Sequence, residues 1–326
     1  MRRTYEPWRP NPEAQDMVDH ISEICADYAR QGYSLTLRGL YYQLVGRGLF
    51  PDSRRFTWTG TRWTPDPEGT KNALPNYRWL IWLATKARLG GHLDWDHLVD
   101  NERNLAALGH WDNPADIIHS AAAGYRIDMW ENQPRRVEVW VEKAALGNVV
   151  SRAAQAWDVG WMACKGYVSL SEMYGAGHRL AGYIRSGGQD VTILYLGDHD
   201  PSGIDMTRDI TDRLAMFTRV GPPRLEVRRI ALNLDQIQQM DLPSDPAKLG
   251  DSRTNSYIQE FGEDCWELDA MDPPAMDRLI RNAIAELVDQ DLYDDRQARQ
   301  DAERETLDQV NNHWDQVVDY LNNLED

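Results

Sequence analysis

Residues 191–206, VTILYLGDHDPSGIDM, are the stretch on which the fold turns. Six residues rich in β-branched and apolar side chains end at Gly197, after which Asp198 and Asp200 flank His199 ahead of Pro201 and Gly203. An apolar run this short, closed by glycine, reads as a strand buried on both faces rather than as a helix. Working upstream, 136–142 (RVEVWVE) alternates in the manner of a strand and ends in Glu142, and a helical run covers 144–157. A short strand is expected at 161–164 and a helix at 170–186. Downstream, a helix over about 203–218 and a strand over 225–232 complete an alternating series. Such a series predicts an α/β domain on a mainly parallel sheet. Ligand sites in these sheets lie beyond the carboxyl ends of the strands.

Both carboxylate-bearing segments sit at such ends. Strand alternation would aim Asp198 and Asp200 at one point, and Glu142 closes another strand of the same sheet. Oxygen ligands grouped without Cys or His suit Mg²⁺, which takes one or two carboxylates and keeps other positions for water and phosphate. The competing reading is a plain turn in which Asp198, Asp200 and Pro201 make Asx hydrogen bonds. His199 is given no role.

The N-terminal part has a different periodicity. Asn11-Pro12 opens an amphipathic helix over 11–31, and Ser34 and Thr36 precede a second helical pattern, LRGLYYQLVGRGLF, that ends near Gly48 and Pro51. Residues 52–70, rich in Trp, Thr and Pro, read as an exposed loop or a small β-excursion. A third helix is expected over 72–89, followed by a turn and strand in GGHLDWDHLVD. Three helices and such a strand suggest a winged-helix unit whose third helix enters a groove. Two domains follow, 1–131 and 132–326.

Charge is divided along the chain. The formal net charge of -17 argues against a nucleic-acid partner for the chain as a whole. Yet Arg30 to Gly90 carries ten basic against three acidic residues, whereas Asp264 to Asp326 carries eighteen acidic against five basic. A basic surface is therefore expected in the first domain, with Arg54, Arg55, Arg78, Lys86 and Arg88 as DNA contacts, joined by Lys143 beside the acids. The acidic tail reads as a solvated helical face, or as self-repulsion that keeps DNA in one groove. Cys25, Cys164 and Cys265 lack metal-clip spacing, and neither a signal segment nor a membrane span is visible, so a reducing cytosol is expected.

VEVWVEKAAL and LYLGDHDPSGIDM resemble the two signature segments of the Toprim domain, the metal-binding module of topoisomerases, primases and some nucleases. TLRGLYYQL (36–44) resembles the active-site segment of the topoisomerase VI A subunit and the related meiotic double-strand-break proteins, in which an Arg precedes the catalytic Tyr by four positions. WELDAM (266–271) looks like a segment of short phage-type relatives. The resemblance implies Mg²⁺ held by Glu142, Asp198 and Asp200, with Tyr42 as nucleophile, Arg38 as its partner and Tyr41 as packing. On a helix Arg38 and Tyr42 share a face, and a nearby cation can favour the phenolate or clamp the phosphate. It further implies double-stranded DNA as substrate, a type IIB topoisomerase-like double-strand cleavage through a 5′-phosphotyrosyl link, and a homodimer presenting Tyr42 to the partner's metal site. The chain is shorter than a typical A subunit and contains no ATPase domain, so a separate ATPase subunit is a further expectation. Two alternatives stay open: a Toprim nuclease using metal-bound water, and a winged-helix DNA-binding protein without catalysis. Whether Glu267 or Asp269 reaches the metal is also open, a structural role being favoured.

Overall fold

The computed structural model describes residues 2–99, 108–246 and 254–323. Helix α1 (Pro12–Arg30) starts where Asn11 accepts the Ala14 amide at 2.8 Å and Pro12 supplies the fixed φ of a first turn. Helix α2 (Leu37–Gly46) is capped by Thr36, which accepts the Gly39 amide. The Trp-rich stretch forms a small antiparallel hairpin, β1 (Phe56–Trp58) and β2 (Trp63–Pro65), before α3 (Leu74–Leu89). Met17, Ile21, Ile24 and Tyr28 of α1 pack with Leu40 and Leu44 of α2 and Leu80 and Leu83 of α3 in one apolar core. The strand expected in 90–100 does not form. Instead Trp95–His97 makes a 3₁₀ turn, held by the Asp94 side chain accepting the Asp96 amide, and Leu98 bridges Leu35 as a single pair. A local Asx bond has taken the backbone that a ladder would need. Asp100 lies outside the described residues.

Helix α4 (Pro114–Gly124) leads into the α/β layer: β3 (Arg135–Val141), α5 (Gly147–Gln155), β4 (Gly160–Ala163), α6 (Leu170–Arg185), β5 (Asp190–Leu196), α7 (Pro201–Thr218) and β6 (Leu225–Ala231). The four strands lie in the order β4-β3-β5-β6, all parallel. Each strand falls within a residue or two of the span its periodicity predicts. Alternation along β3 sends Val137, Val139 and Val141 into the core shared with α5, while Trp140 enters the core shared with α6 and α7. Both faces are thus covered, as a parallel sheet requires. The chain moves from β3 outward to β4 and then crosses to β5 on the other side of β3. The carboxyl ends of β3 and β5 therefore flank the point where the winding reverses, the position at which such sheets leave a crevice.

The remaining elements are α8 (Leu234–Met240), β7 (Asp245–Pro246), α9 (Thr254–Phe261), β8 (Asp264–Cys265), α10 (Pro273–Ala285), α11 (Gln290–Asn312) and α12 (Trp314–Asn322). β7 and β8 pair antiparallel. Along α11 only Gln300 is buried, where its Oε1 accepts the Ile127 amide, so the acidic C-terminal stretch does present a largely solvated helical face. Residues 114–131, placed with the first domain by sequence, pack on the second. The Tyr125 hydroxyl donates to Glu303, and Met129 and Trp130 join the β3–α5 core. No helix among the described residues is long and apolar enough to cross a membrane.

Candidate catalytic cluster at the sheet's carboxyl edge

Glu142 follows the last residue of β3, and its amide still donates to Leu196 of β5 at 2.8 Å. That register sets the Glu142 carboxylate beside the next turn of β5, where Oε2 accepts the Asp198 amide at 2.9 Å. Asp198 is buried and its Oδ1 accepts the Leu268 amide at 2.7 Å, with Lys143 Nζ at 3.1 Å. The turn is fixed from behind by Arg229 of β6. Its guanidinium donates to the carbonyls of Gly197, Asp198 and Gly203 at 2.9, 2.6 and 3.0 Å. Gly203 is required by the same closeness, because a Cβ there would run into the Asp198 carbonyl.

Asp200 departs from the expected geometry. β5 ends at Leu196, so strand alternation does not extend to the acids, and Asp200 becomes the N-cap of α7. Its Oδ1 accepts the Gly203 amide at 2.6 Å and the Ser202 hydroxyl at 2.9 Å. Glu142 and Asp198 adjoin, while Asp200 holds the helix start. His199 is buried, with Nδ1 2.8 Å from the Tyr257 hydroxyl, and desolvation presses its pKa down to about 4, leaving the ring neutral.

The His199 backbone pairs with Trp266, and this bridge carries the 266–271 segment over the acids. Glu267 and Asp269 arrive with it. Lys143 Nζ stands 3.0 Å from Glu267 and 2.7 Å from Asp269, besides Asp198. Burial opposes its charge, but the three carboxylates more than offset that and hold it protonated. Lys143, expected to face DNA, is instead the internal counter-ion of the cluster.

Glu267 also reaches the N-terminal helices. Arg38 donates to both of its oxygens, at 2.5 and 3.1 Å, and to the Tyr42 hydroxyl at 2.8 Å. Tyr42 in turn donates to Asp245 Oδ2 at 3.0 Å and is buried, as is Tyr41, whose hydroxyl bonds Asn72 and Ala73. The i, i+4 partnership of Arg38 and Tyr42 is present. Its expected electrostatic result is not. Burial, then Glu267 and Asp245, push the phenol far above its ordinary value, and Arg38 only partly counters them. The guanidinium is already matched by a carboxylate, so it does not promote ionisation in this arrangement.

The remaining basic residues divide. Arg78 on α3 is exposed and Lys86 pairs loosely with Glu6 at 3.5 Å. Arg54 lies over the Trp79 ring at 3.6 Å, and Arg55 bonds the Gly69 carbonyl. Arg88 turns inward, donating to the carbonyls of Trp95 and Leu98, and so builds the 3₁₀ turn rather than an outer surface.

The oxygen donors gathered here suit a divalent cation. All are hard oxygens, the Asp269 Oδ1 is buried without a hydrogen-bond partner, and burial plus the adjacent Asp198 raise the Glu142 carboxyl. The chemistry of the donor set therefore fits Mg²⁺. Among the described residues, however, no three His, Cys, Asp or Glu side chains stand grouped as a ready coordination shell. Asp245, Asn72 and Arg229 escaped the sequence reading. Only Arg229, one of two adjacent arginines inside the strand LEVRRIA, carried a local signal. No protein-family model matches the chain, and no curated protein matches it.

Proposed function

We propose that the protein is a divalent-metal-dependent DNA-cleaving enzyme of the winged-helix and Toprim kind, acting by tyrosine transesterification. The observation that carries this is the polar chain Tyr42–Arg38–Glu267–Lys143–Asp198, which links a tyrosine on a basic helical domain to carboxylates at a sheet's switch point. Glu142 and Asp198, with Asp200, are the residues that would hold the metal. Bound there, Mg²⁺ would neutralise charge on phosphodiester oxygens. Tyr42 Oη would bond to phosphorus as the 3′ oxygen leaves with a proton, giving a 5′-phosphotyrosyl end whose bond energy permits religation. Arg38 would give its guanidinium to the phosphate once Glu267 lets go. Cutting both strands with one tyrosine per chain needs two copies, which favours a homodimer. A separate ATPase subunit would be needed for strand passage.

The burial of Tyr42 and its bond to Asp245 favour a second reading, hydrolysis by metal-activated water with Tyr42 as packing. Supercoiled DNA incubated with the protein and Mg²⁺, then denatured, separates the two. Transesterification leaves DNA ends attached to protein, abolished in Tyr42→Phe and kept in Tyr41→Phe. A Tyr42→Phe chain that cuts at the wild-type rate refutes the tyrosine mechanism, and a wild type that never cuts with Mg²⁺ refutes cleavage altogether.

A further inference from the structure

A cleft of about 320 Å³ opens beside the carboxyl ends of β3 and β4, lined by Glu142, Lys143, Ala144, Ala145, Lys165 and Gly166. Two cations border it, and they differ in their commitments. Lys143 is surrounded by Asp198, Glu267 and Asp269. Lys165 is exposed and makes no ion pair or side-chain hydrogen bond among the described residues.

The backbone at Lys165 is a second, independent sign. Its φ is +56°, in the left-handed region that disfavours side chains with a Cβ, and Gly166 follows at +84°. Of the three other non-glycine residues of this kind, Arg219 and Asp241 are helix C-caps and Asp158 sits in the turn that closes α5, where that conformation is ordinary. Lys165 instead follows a strand. The turn is tied to β3, since the Cys164 amide donates to Val141 at 2.7 Å and the Gly166 amide to Glu142 at 3.4 Å. Gly or Asn would occupy this position with less strain, and a side chain held at such a cost commonly serves a site. The surroundings give it something to do. Lys143 is taken up by Asp198, Glu267 and Asp269, and Glu142 lines the same cleft, so Lys165 is the cation a polyanion entering it would meet.

On the DNA-cleaving reading above, we propose that Lys165 is a phosphate-binding residue of this cleft, its ammonium taking a non-bridging oxygen of a DNA backbone phosphate led past Glu142. The contact is sequence-independent and positions the strand. The test uses the full chain and a short duplex, in chelator so that nothing is cut, with affinity followed against KCl concentration for wild type, Lys165→Asn and Lys165→Arg. Lys165→Asn is expected to bind about tenfold more weakly, with the slope of log affinity against log salt reduced by about one. Its thermal midpoint is expected to match or exceed the wild type, because Asn tolerates the left-handed backbone. Lys165→Arg is expected to restore the slope. If wild type binds and Lys165→Asn shows the same affinity and slope, the assignment of Lys165 is overturned by itself. A Lys165→Arg chain that behaves like Lys165→Asn also overturns it. A wild type that binds no duplex overturns the DNA reading together with this residue's role.

Discussion

The Arg38–Glu267 pair gives a sharp test of how the two parts of the chain are joined. The partners are 229 residues apart in sequence, and their side chains are 28% and 30% exposed, so the pair is neither a surface contact nor fully desolvated. Exposed pairs contribute about 0–1 kcal/mol, whereas breaking a fully buried one costs about 3–5 kcal/mol. Two charge-assisted bonds at intermediate burial place this pair between those limits. Glu267→Gln keeps the shape and one acceptor but removes the charge, and is expected to destabilise by roughly 1–2 kcal/mol. Lys143 retains Asp198 and Asp269 in that variant, so the loss falls mainly on Arg38. Urea unfolding of wild type, Glu267→Gln, Arg38→Met and the double variant completes a mutant cycle. A coupling energy of about 1–2 kcal/mol is expected. A value under about 0.5 kcal/mol, the level at which independent sites simply add, would refute the bridge as a source of domain cohesion.

Three further outcomes follow from the acids. Burial and Asp198 raise the folded-state pKa of Glu142, so the stability linked to it is present below the unfolded value of about 4.3 and is lost as pH climbs through the raised one. In chelator, Glu142→Gln should therefore flatten that decline and be more stable than wild type at pH 8 by about 1 kcal/mol; a less stable variant would contradict the account. Added Mg²⁺ is expected to raise the thermal midpoint of the wild type and leave Glu142→Gln little changed. Asp200→Ala removes the N-cap of α7 and is expected to cost about 1 kcal/mol even without metal, with Asp200→Ser largely restoring it. Equal urea midpoints for the alanine variant and wild type in chelator would show that capping is not what Asp200 does.

Much of the fold was open to local reading because its signals are local. β5 was legible from an apolar run closed by Gly197, and the body of α7 from the helical pattern over about 203–218, whereas the Asp200 N-cap and Pro201 first turn that start the helix were read as a turn or a metal ligand. The parallel character of β3 through β6 followed from the alternation of strand and helix patterns, while their order in the sheet did not. The closing segment of the first domain was misjudged for an equally local reason. Alternation in HLDWDHLVD looks like a strand, but the Asp94 Asx bond and the inward turn of Arg88 convert it into a 3₁₀ turn.

The candidate site was legible only as a set of residues lying near two strand ends and one helix. Glu142 and Asp198 meet because β3 and β5 are hydrogen-bonded neighbours, an adjacency made by the crossover past β3 and not by sequence order, which puts β4 between them. Which charges satisfy which others was settled by tertiary structure alone. Lys143 becomes an internal counter-ion, Glu267 joins Arg38 to Lys143, and Asp245 reaches Tyr42 because His199 and Trp266 pair and β7 pairs with β8. Side-chain periodicity records the face an element presents to its own core. It holds no trace of a carboxylate brought in from more than two hundred residues away, since ion pairing depends on distance in space and on the water excluded around it.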